Sequence, residues 1–340
     1  MGHSFMHNSR IKLIISVMLF LIFVGLITWV VVYPFNRIFS KNNNFDVLVV
    51  GASETQWGID PEVIEAETGF KTALLATSGS SIAQRYAMLE SHINDKSLKL
   101  VILEVSKFSL TSDMSDKTIE KRVLYFSRID GIWNKLTAAI REFSFVDDEY
   151  DQLYAEMLYE GINSWNCIFN GTYDEAEAER GYEPQNNDSQ LLTEEEARAT
   201  YREGWLSTDP FEENVEALYN LISLCNRNDV PVIMITMPLS EHYLWQYGGW
   251  DTARENILNL LEGQNITYYD FNLMKERQKY LNDETSYRDM EHLCDEGAKS
   301  FSKVLSKTIT AYLNDESGWE FYDWYGEAIA NGSYAEYLPE

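Results

Sequence analysis

Hydrophobic positions along the chain fall into three kinds of pattern. The first is a continuous run: residues 13–33 read LIISVMLFLIFVGLITWVVVY, uncharged and of the length a bilayer core demands. Arg10 and Lys12 precede it, and Trp29 and Tyr33 stand near its far end, where interfacial aromatics belong. The run is too long for a signal-peptide core and no small-x-small cleavage site follows it. The pattern therefore predicts an uncleaved anchor over residues 13–33 and a polar, proline-started linker over 34–45; because Arg37 and Lys41 lie on its far side, a cytoplasmic N-terminus over 1–12 rests partly on the resemblance given below.

The second pattern is short apolar runs closed by glycine or polar residues. VLVVG at 47–51 reads as a buried strand, as do 71–76, 98–105 (LKLVILEV), 230–237 (VPVIMITM) and 266–270. Amphipathic stretches lie between them. Asp60-Pro61 followed by EVIEAETG supplies an N-cap, a proline at the first helical position and a stop at Gly69. Residues 82–93 and 211–226 read as helices, and 295–313 as the last one. Strand and helix alternate with short connections, which predicts an α/β domain with a parallel sheet of about five strands and helices on both faces.

The third pattern breaks that rhythm. Residues 106–208 are rich in Tyr, Trp, Glu and Asp, and read as a largely helical insertion that caps or flanks the active face of the domain. In it, 183–190 (EPQNNDSQ) is an exposed loop and Thr193 caps a following helix. The domain proper spans 46–315. The tail over 316–340 is aromatic and acidic, and either packs on the domain or meets a partner.

Charge narrows the function classes. The 340 residues carry a formal net charge of -27, with no basic stripe, so nucleic-acid phosphates are repelled. Cys167, Cys225 and Cys294 are far apart and odd in number, which implies neither a disulfide framework nor a structural metal. No cofactor motif stands out.

Two motifs carry chemistry. Ser53, in VLVVGASETQWG, lies two residues beyond the strand-ending Gly51, at the carboxyl edge where open parallel sheets place their ligands. It is either a nucleophile or a helix cap. Because Asp60 already caps the next helix, Ser53 is expected in a loop with no structural task. The other motif is YRDMEHLCDEGAKSFSKVL, where Asp289 and His292 stand three apart. At that spacing a carboxylate can orient one ring nitrogen while the other faces a nucleophile. A metal reading with Cys294, and an ordinary exposed pair at a helix start, remain open on the residues alone. His92 reads as solvated. His242, after the 230–237 strand, is a packed loop residue or a substrate contact, and Lys107, also past a strand end, could bind an anionic group.

Taken in order, a serine after the first strand and D-x-x-H before the last helix, the chain resembles the SGNH/GDSL hydrolase superfamily. Within it, the chain is similar to membrane-anchored bacterial proteins of cell-envelope polymer acylation: the teichoic-acid D-alanyl transfer proteins and the alginate and peptidoglycan O-acetylation proteins. The run D-x-x-H-L-x-x-x-G-A-x-x-F-S, Asp289 to Ser302, carries the likeness. The resemblance implies a flavodoxin-like three-layer fold, Ser53 as nucleophile, His292 as general base and Asp289 as its orienting carboxylate. It implies an oxyanion hole from the backbone N–H groups of Ser53 and Gly79. The superfamily's asparagine donor after the third strand does not occur; Glu104, Ser106 and Lys107 lie there, with Ser106 and Lys107 as candidate substrate contacts. The likeness further implies an extracytoplasmic esterase or acyltransferase on a membrane anchor, with a cell-envelope polymer as substrate. A multispanning membrane O-acyltransferase would be its partner. The alternative is a non-catalytic module of the same fold that binds polymer or holds an assembly together.

Overall fold

A computed structural model of the chain describes residues 15–19, 22, 25, 26, 44–94, 97–111, 124–143, 151–153, 155–157, 159, 180–187, 193–200, 209–246, 250–274 and 277–314. Five strands, β1 (Val47–Gly51), β2 (Thr72–Ala76), β3 (Leu100–Glu104), β4 (Val232–Thr236) and β5 (Thr267–Asp270), form one parallel sheet in the order β2-β1-β3-β4-β5. This α/β order agrees with a flavodoxin-like arrangement, in which the chain reverses direction across the sheet between β1 and β3. Each strand falls within its apolar run, with ends that agree to within two residues.

The strands are buried on both sides, and their side chains alternate between two cores as period-two geometry requires. Leu48, Val50, Ala73, Leu75, Val101, Leu103 and Met234 face one core. There they meet α3 (Ile82–His92), α4 (Glu212–Arg227) and α5 (Trp250–Leu261). Val47, Val49, Leu74, Ile102 and Ile235 face the other, against α2 (Pro61–Thr68) and α6 (Asp295–Leu313). Phe301 of α6 packs edge-on to Phe271 with centroids 4.8 Å apart. The result is three layers.

Caps follow the sequence. Asp60 accepts from the N–H groups of Glu62 and Val63, Pro61 opens α2, and Gly69 closes it at φ 74°. Ser81 and Gln84 form a reciprocal capping box on α3. Ser53 departs from expectation: it opens a short helix, α1 (Ser53–Gly58), rather than lying in a loop. The turn can fold back on the strand end because Gly51 has no side chain. A Cβ there would fall 1.9 Å from Thr55 Oγ1.

His92 also departs. It is buried, with Nε2 3.0 Å from the Arg128 carbonyl, because the turn of 3-10 helix Leu124–Arg128 covers the end of α3. The described parts of residues 106–208 are helical or irregular. Of these, 180–182 run along the edge of the sheet, where Leu74 N–H donates to the Arg180 carbonyl. The predicted anchor falls mostly outside the described residues; of it, 15–19, 22, 25 and 26 are helical. Among the described residues no helix is long and apolar enough to cross a membrane. The tail over 316–340 and Cys167 lie outside the described residues.

Candidate active site

Ser53 stands at the carboxyl end of β1, beside the reversal point of the sheet. His292 and Asp289 reach it from a turn just before α6. An antiparallel bridge between Tyr287 and Leu293 closes the neck of that turn, and Arg288 N–H donates to the His292 carbonyl at 2.8 Å. Its tip is tied to the loop after β4, where the Ser240 hydroxyl donates to the Met290 carbonyl at 2.7 Å. α6 packs close behind: a Cβ at Gly297 would lie 1.9 Å from the Ser286 carbonyl oxygen. Ser302 of α6 accepts the Asp60 N–H at 2.8 Å, locking α6 to the start of α2. The glycine and the serine of the D-x-x-H-L-x-x-x-G-A-x-x-F-S run thus each have a packing reason.

The three polar side chains form a continuous chain. His292 Nε2 is 2.9 Å from Ser53 Oγ, across 239 residues of sequence. His292 Nδ1 lies 2.9 Å from both oxygens of Asp289. Asp289 Oδ1 also accepts the backbone N–H groups of Glu291 and His292, each at 2.9 Å, which fixes the carboxylate in the turn. With Nδ1 donating to Asp289, Nε2 is left as the acceptor for the Ser53 hydroxyl.

Charge crowds the imidazole. Burial alone disfavours its cation, but the Asp289 hydrogen bond and the nearby Glu54, Asp289 and Glu291 carboxylates outweigh it, so His292 is held above its ordinary value. For Asp289 burial pushes upward, yet the hydrogen bond and charge of His292 prevail and the net shift is downward. Burial and Glu54 push Glu291 up to about 7. The Ser53 hydroxyl has a second, longer acceptor in Glu54 Oε2 at 3.4 Å.

Trp57 forms one wall. Its ring meets His292 edge-on at 4.6 Å, the Arg288 guanidinium lies 4.9 Å from its centroid, and its N–H donates to Glu183 at 3.2 Å. Gln56 donates to the same carboxylate at 2.9 Å. The segment around Glu183 thus lies against α1, the face it was expected to flank.

The other expected residues divide. Gly79 sits in the turn after β2 at φ 69°, and the neighbouring Ser80 hydroxyl donates to the Gly51 carbonyl at 2.8 Å, which brings that turn against the Ser53 loop. Ser106 has a local task, since its hydroxyl and that of Ser109 exchange bonds with each other's backbone N–H across the helix Lys107–Thr111. Ser106 and Lys107 do line a small pocket of about 30 Å³ with Glu54, Phe108, Met237 and Tyr243. Burial lowers the Lys107 ammonium from its ordinary value. His242 is not part of that lining; it lies on the short helix Glu241–Gln246, whose first N–H groups are received by Asp283. Cys294 is turned away from the two acidic and imidazole groups, its thiol donating to the Thr285 carbonyl at 3.1 Å.

Glu54, Trp57 and Glu291 were not singled out by sequence. Each adjoins a motif, but an acidic residue in a first helical turn reads the same whether it faces solvent or an imidazole.

No family model matches the chain, and no curated protein does. Among solved structures, it is similar to a candidate acylhydrolase from Bacteroides fragilis NCTC 9343, with a TM-score of 0.38 and 11% identity over 78% of this chain and 87% of that one.

Proposed function

We propose that the protein is a serine-dependent acyl hydrolase or acyltransferase of the SGNH type, with Ser53, His292 and Asp289 as its catalytic triad. The observation that carries this reading is the 2.9 Å approach of His292 Nε2 to Ser53 Oγ, with Nδ1 held by both Asp289 oxygens. His292 takes the Ser53 proton as Oγ bonds to the acyl carbon of an ester or thioester. The tetrahedral intermediate collapses as the bond to the leaving oxygen or sulfur breaks, and His292 returns the proton to that leaving group. A hydroxyl or water, deprotonated by the same imidazole, then bonds to the acyl carbon, and as the acyl–Oγ bond breaks His292 returns that proton to Ser53 Oγ. The backbone N–H groups of Ser53 and Gly79 are the proposed oxyanion donors, each worth about 3–4 kcal/mol in such sites.

The acyl acceptor we favour is a hydroxyl of a cell-envelope polymer, reached from a single-pass anchor over residues 13–33 with the N-terminus cytoplasmic. The apolar run and the Asp289–Ser302 likeness support this, and a multispanning membrane O-acyltransferase would supply the acyl group. One observation favours a second reading, a non-catalytic module that binds polymer. At the end of β3, where a side-chain oxyanion donor would stand, Glu104 instead accepts the Ala52 N–H at 3.1 Å. A tagged fluorophosphonate decides between them. Labelling of the purified chain that disappears in Ser53→Ala supports the enzyme, and a wild-type chain that stays unlabelled gives way to the binding module.

A further inference from the structure

A buried ion pair joins the three loops that meet at Ser53. Arg85, on α3, and Glu104, at the end of β3, have side chains 2% and 0% exposed, with Arg85 Nη2 3.4 Å from Glu104 Oε2. The same guanidinium donates to two carbonyls, that of Glu104 at 2.6 Å and that of Ser80 at 3.4 Å. The Glu104 carboxylate in turn accepts the N–H of Ala52, the residue before Ser53, at 3.1 Å. Ser80 closes the circuit through its hydroxyl, which donates to the Gly51 carbonyl at 2.8 Å. One cation therefore touches the end of β3 and the turn after β2 directly, and the loop after β1 through one carboxylate.

From this circuit we infer that Arg85 and Glu104 are positioning residues, which set the Ala52–Ser53 backbone against the Gly79–Ser80 turn and so fix the spacing of the two proposed oxyanion N–H groups. The inference rests on the triad reading above. Filling space does not account for the pair, because burial pushes the Glu104 carboxyl up to about 7 against the pull of Arg85, and an apolar pair of equal volume would pack as well. The planar fork of arginine suits the arrangement, since it can serve several acceptors in one plane where an ammonium could not. Position matters here because a displacement of about 1 Å in a reacting group can cost on the order of a hundredfold in rate. At the end of β3 the chain thus places an acceptor that steadies the backbone donors.

The test uses the full chain in detergent, with Arg85→Lys, which keeps the charge and loses the fork. Arg85→Met/Glu104→Gln, which removes both charges while retaining an acceptor for Ala52, covers the case in which the first variant fails to fold. We expect kcat for p-nitrophenyl acetate to fall by about 10- to 1000-fold with KM within about twofold, the signature of weaker transition-state binding. Amide hydrogen exchange in peptides covering 51–56 and 77–81 should quicken by about tenfold, with the rest of the sheet unchanged. Glu104→Gln should retain more activity than Glu104→Ala. A folded variant with kcat and exchange both within about twofold of the parent overturns the inference, as does a loss confined to KM. If the parent itself shows no Ser53-dependent turnover, exchange alone decides: quickening upholds the clamp while the triad reading falls, and unchanged exchange removes both.

Discussion

The two halves of the site are held in different ways. The Ser53 half is built into the sheet: β1 ends at Gly51, α1 folds back over it, and the neighbouring backbone is tied to Glu104 and Ser80 in the buried interior. The His292 half is a turn outside the sheet, held by its own backbone, by Asp289 and by two bonds from Ser240 to the Met290 carbonyl. It is also where the charge collects, with Glu54, Asp289 and Glu291 all acting on one imidazole. Ser53 is thus placed by packing, and His292 is tuned by electrostatics. Substitutions among the charges around the imidazole, Glu54 of α1 included, should act on protonation, and those that crowd the backbone of either half on position and stability.

The largest expected effect tests whether the halves work as one unit. Ser53→Ala and His292→Ala should each reduce kcat by about 10⁴- to 10⁶-fold, and the double variant should lose little more, because removing either member already disables proton transfer and attack. Losses that multiply in the double variant, measured by ester hydrolysis, would show two independent contributions and break the unit. Asp289→Asn comes next, at about 10³- to 10⁴-fold. An amide can present an N–H to Nδ1 and turn the imidazole to the wrong tautomer, while Ser53 itself is unchanged. Its thermal stability should change far less than its rate.

The same contrast explains what could be read from sequence. The β1 strand, the Asp60-Pro61 start, the Gly69 stop and the 295–313 helix are local patterns, and each recurs in the structure within a residue or two. Ser53, Asp289 and His292 were legible because both motifs sit where chain order alone brings them to one sheet edge. Residues whose task depends on partners remote in sequence were not legible. Glu104 is 52 residues from Ala52, and Glu183 is 126 from Trp57. His92 read as solvated because the segment that covers it lies 36 residues on, in a stretch with no clear period. Ser53 itself opens a helix that its spacing to Asp60 hid.

Two glycines sharpen the comparison at the level of stability. Gly297→Ala would set a Cβ 1.9 Å from the Ser286 carbonyl oxygen, and backbone cannot swing aside. Gly51→Ala would set one 1.9 Å from Thr55 Oγ1, 2.6 Å from Thr55 Cβ and 3.0 Å from Glu104 Cβ; turning the threonine relieves the first contact, and the side-chain contacts that remain are less unyielding than a backbone carbonyl. Overpacking of this kind costs about 1–3 kcal/mol and at times more, so Gly297→Ala should lower the melting temperature more than Gly51→Ala. Activity should rank the other way once both are folded, since Gly51 adjoins the nucleophile. Equal melting temperatures, by calorimetry, would show that the turn before α6 yields more easily than its geometry implies.

The smallest effect concerns protonation alone. In the proposed mechanism His292 acts as a base only when neutral, and the carboxylates around it hold its ionisation above the ordinary 6.5. The rise of kcat/KM with pH should therefore have its acid limb above that value. Glu54→Gln removes one of the charges that favour the imidazolium, so the histidine should lose its proton at lower pH and the limb should move down. Glu291→Gln should move it in the same direction but less, for two reasons. Its carboxylate acts on His292 more weakly than that of Glu54, and burial with Glu54 nearby pushes Glu291 itself up to about 7, so it is partly protonated where the limb lies. Neither change should alter the melting temperature as much as Gly297→Ala does. A limb that stays fixed in Glu54→Gln, or moves upward, would show that Asp289 alone sets the imidazole and that the surrounding carboxylates are bystanders.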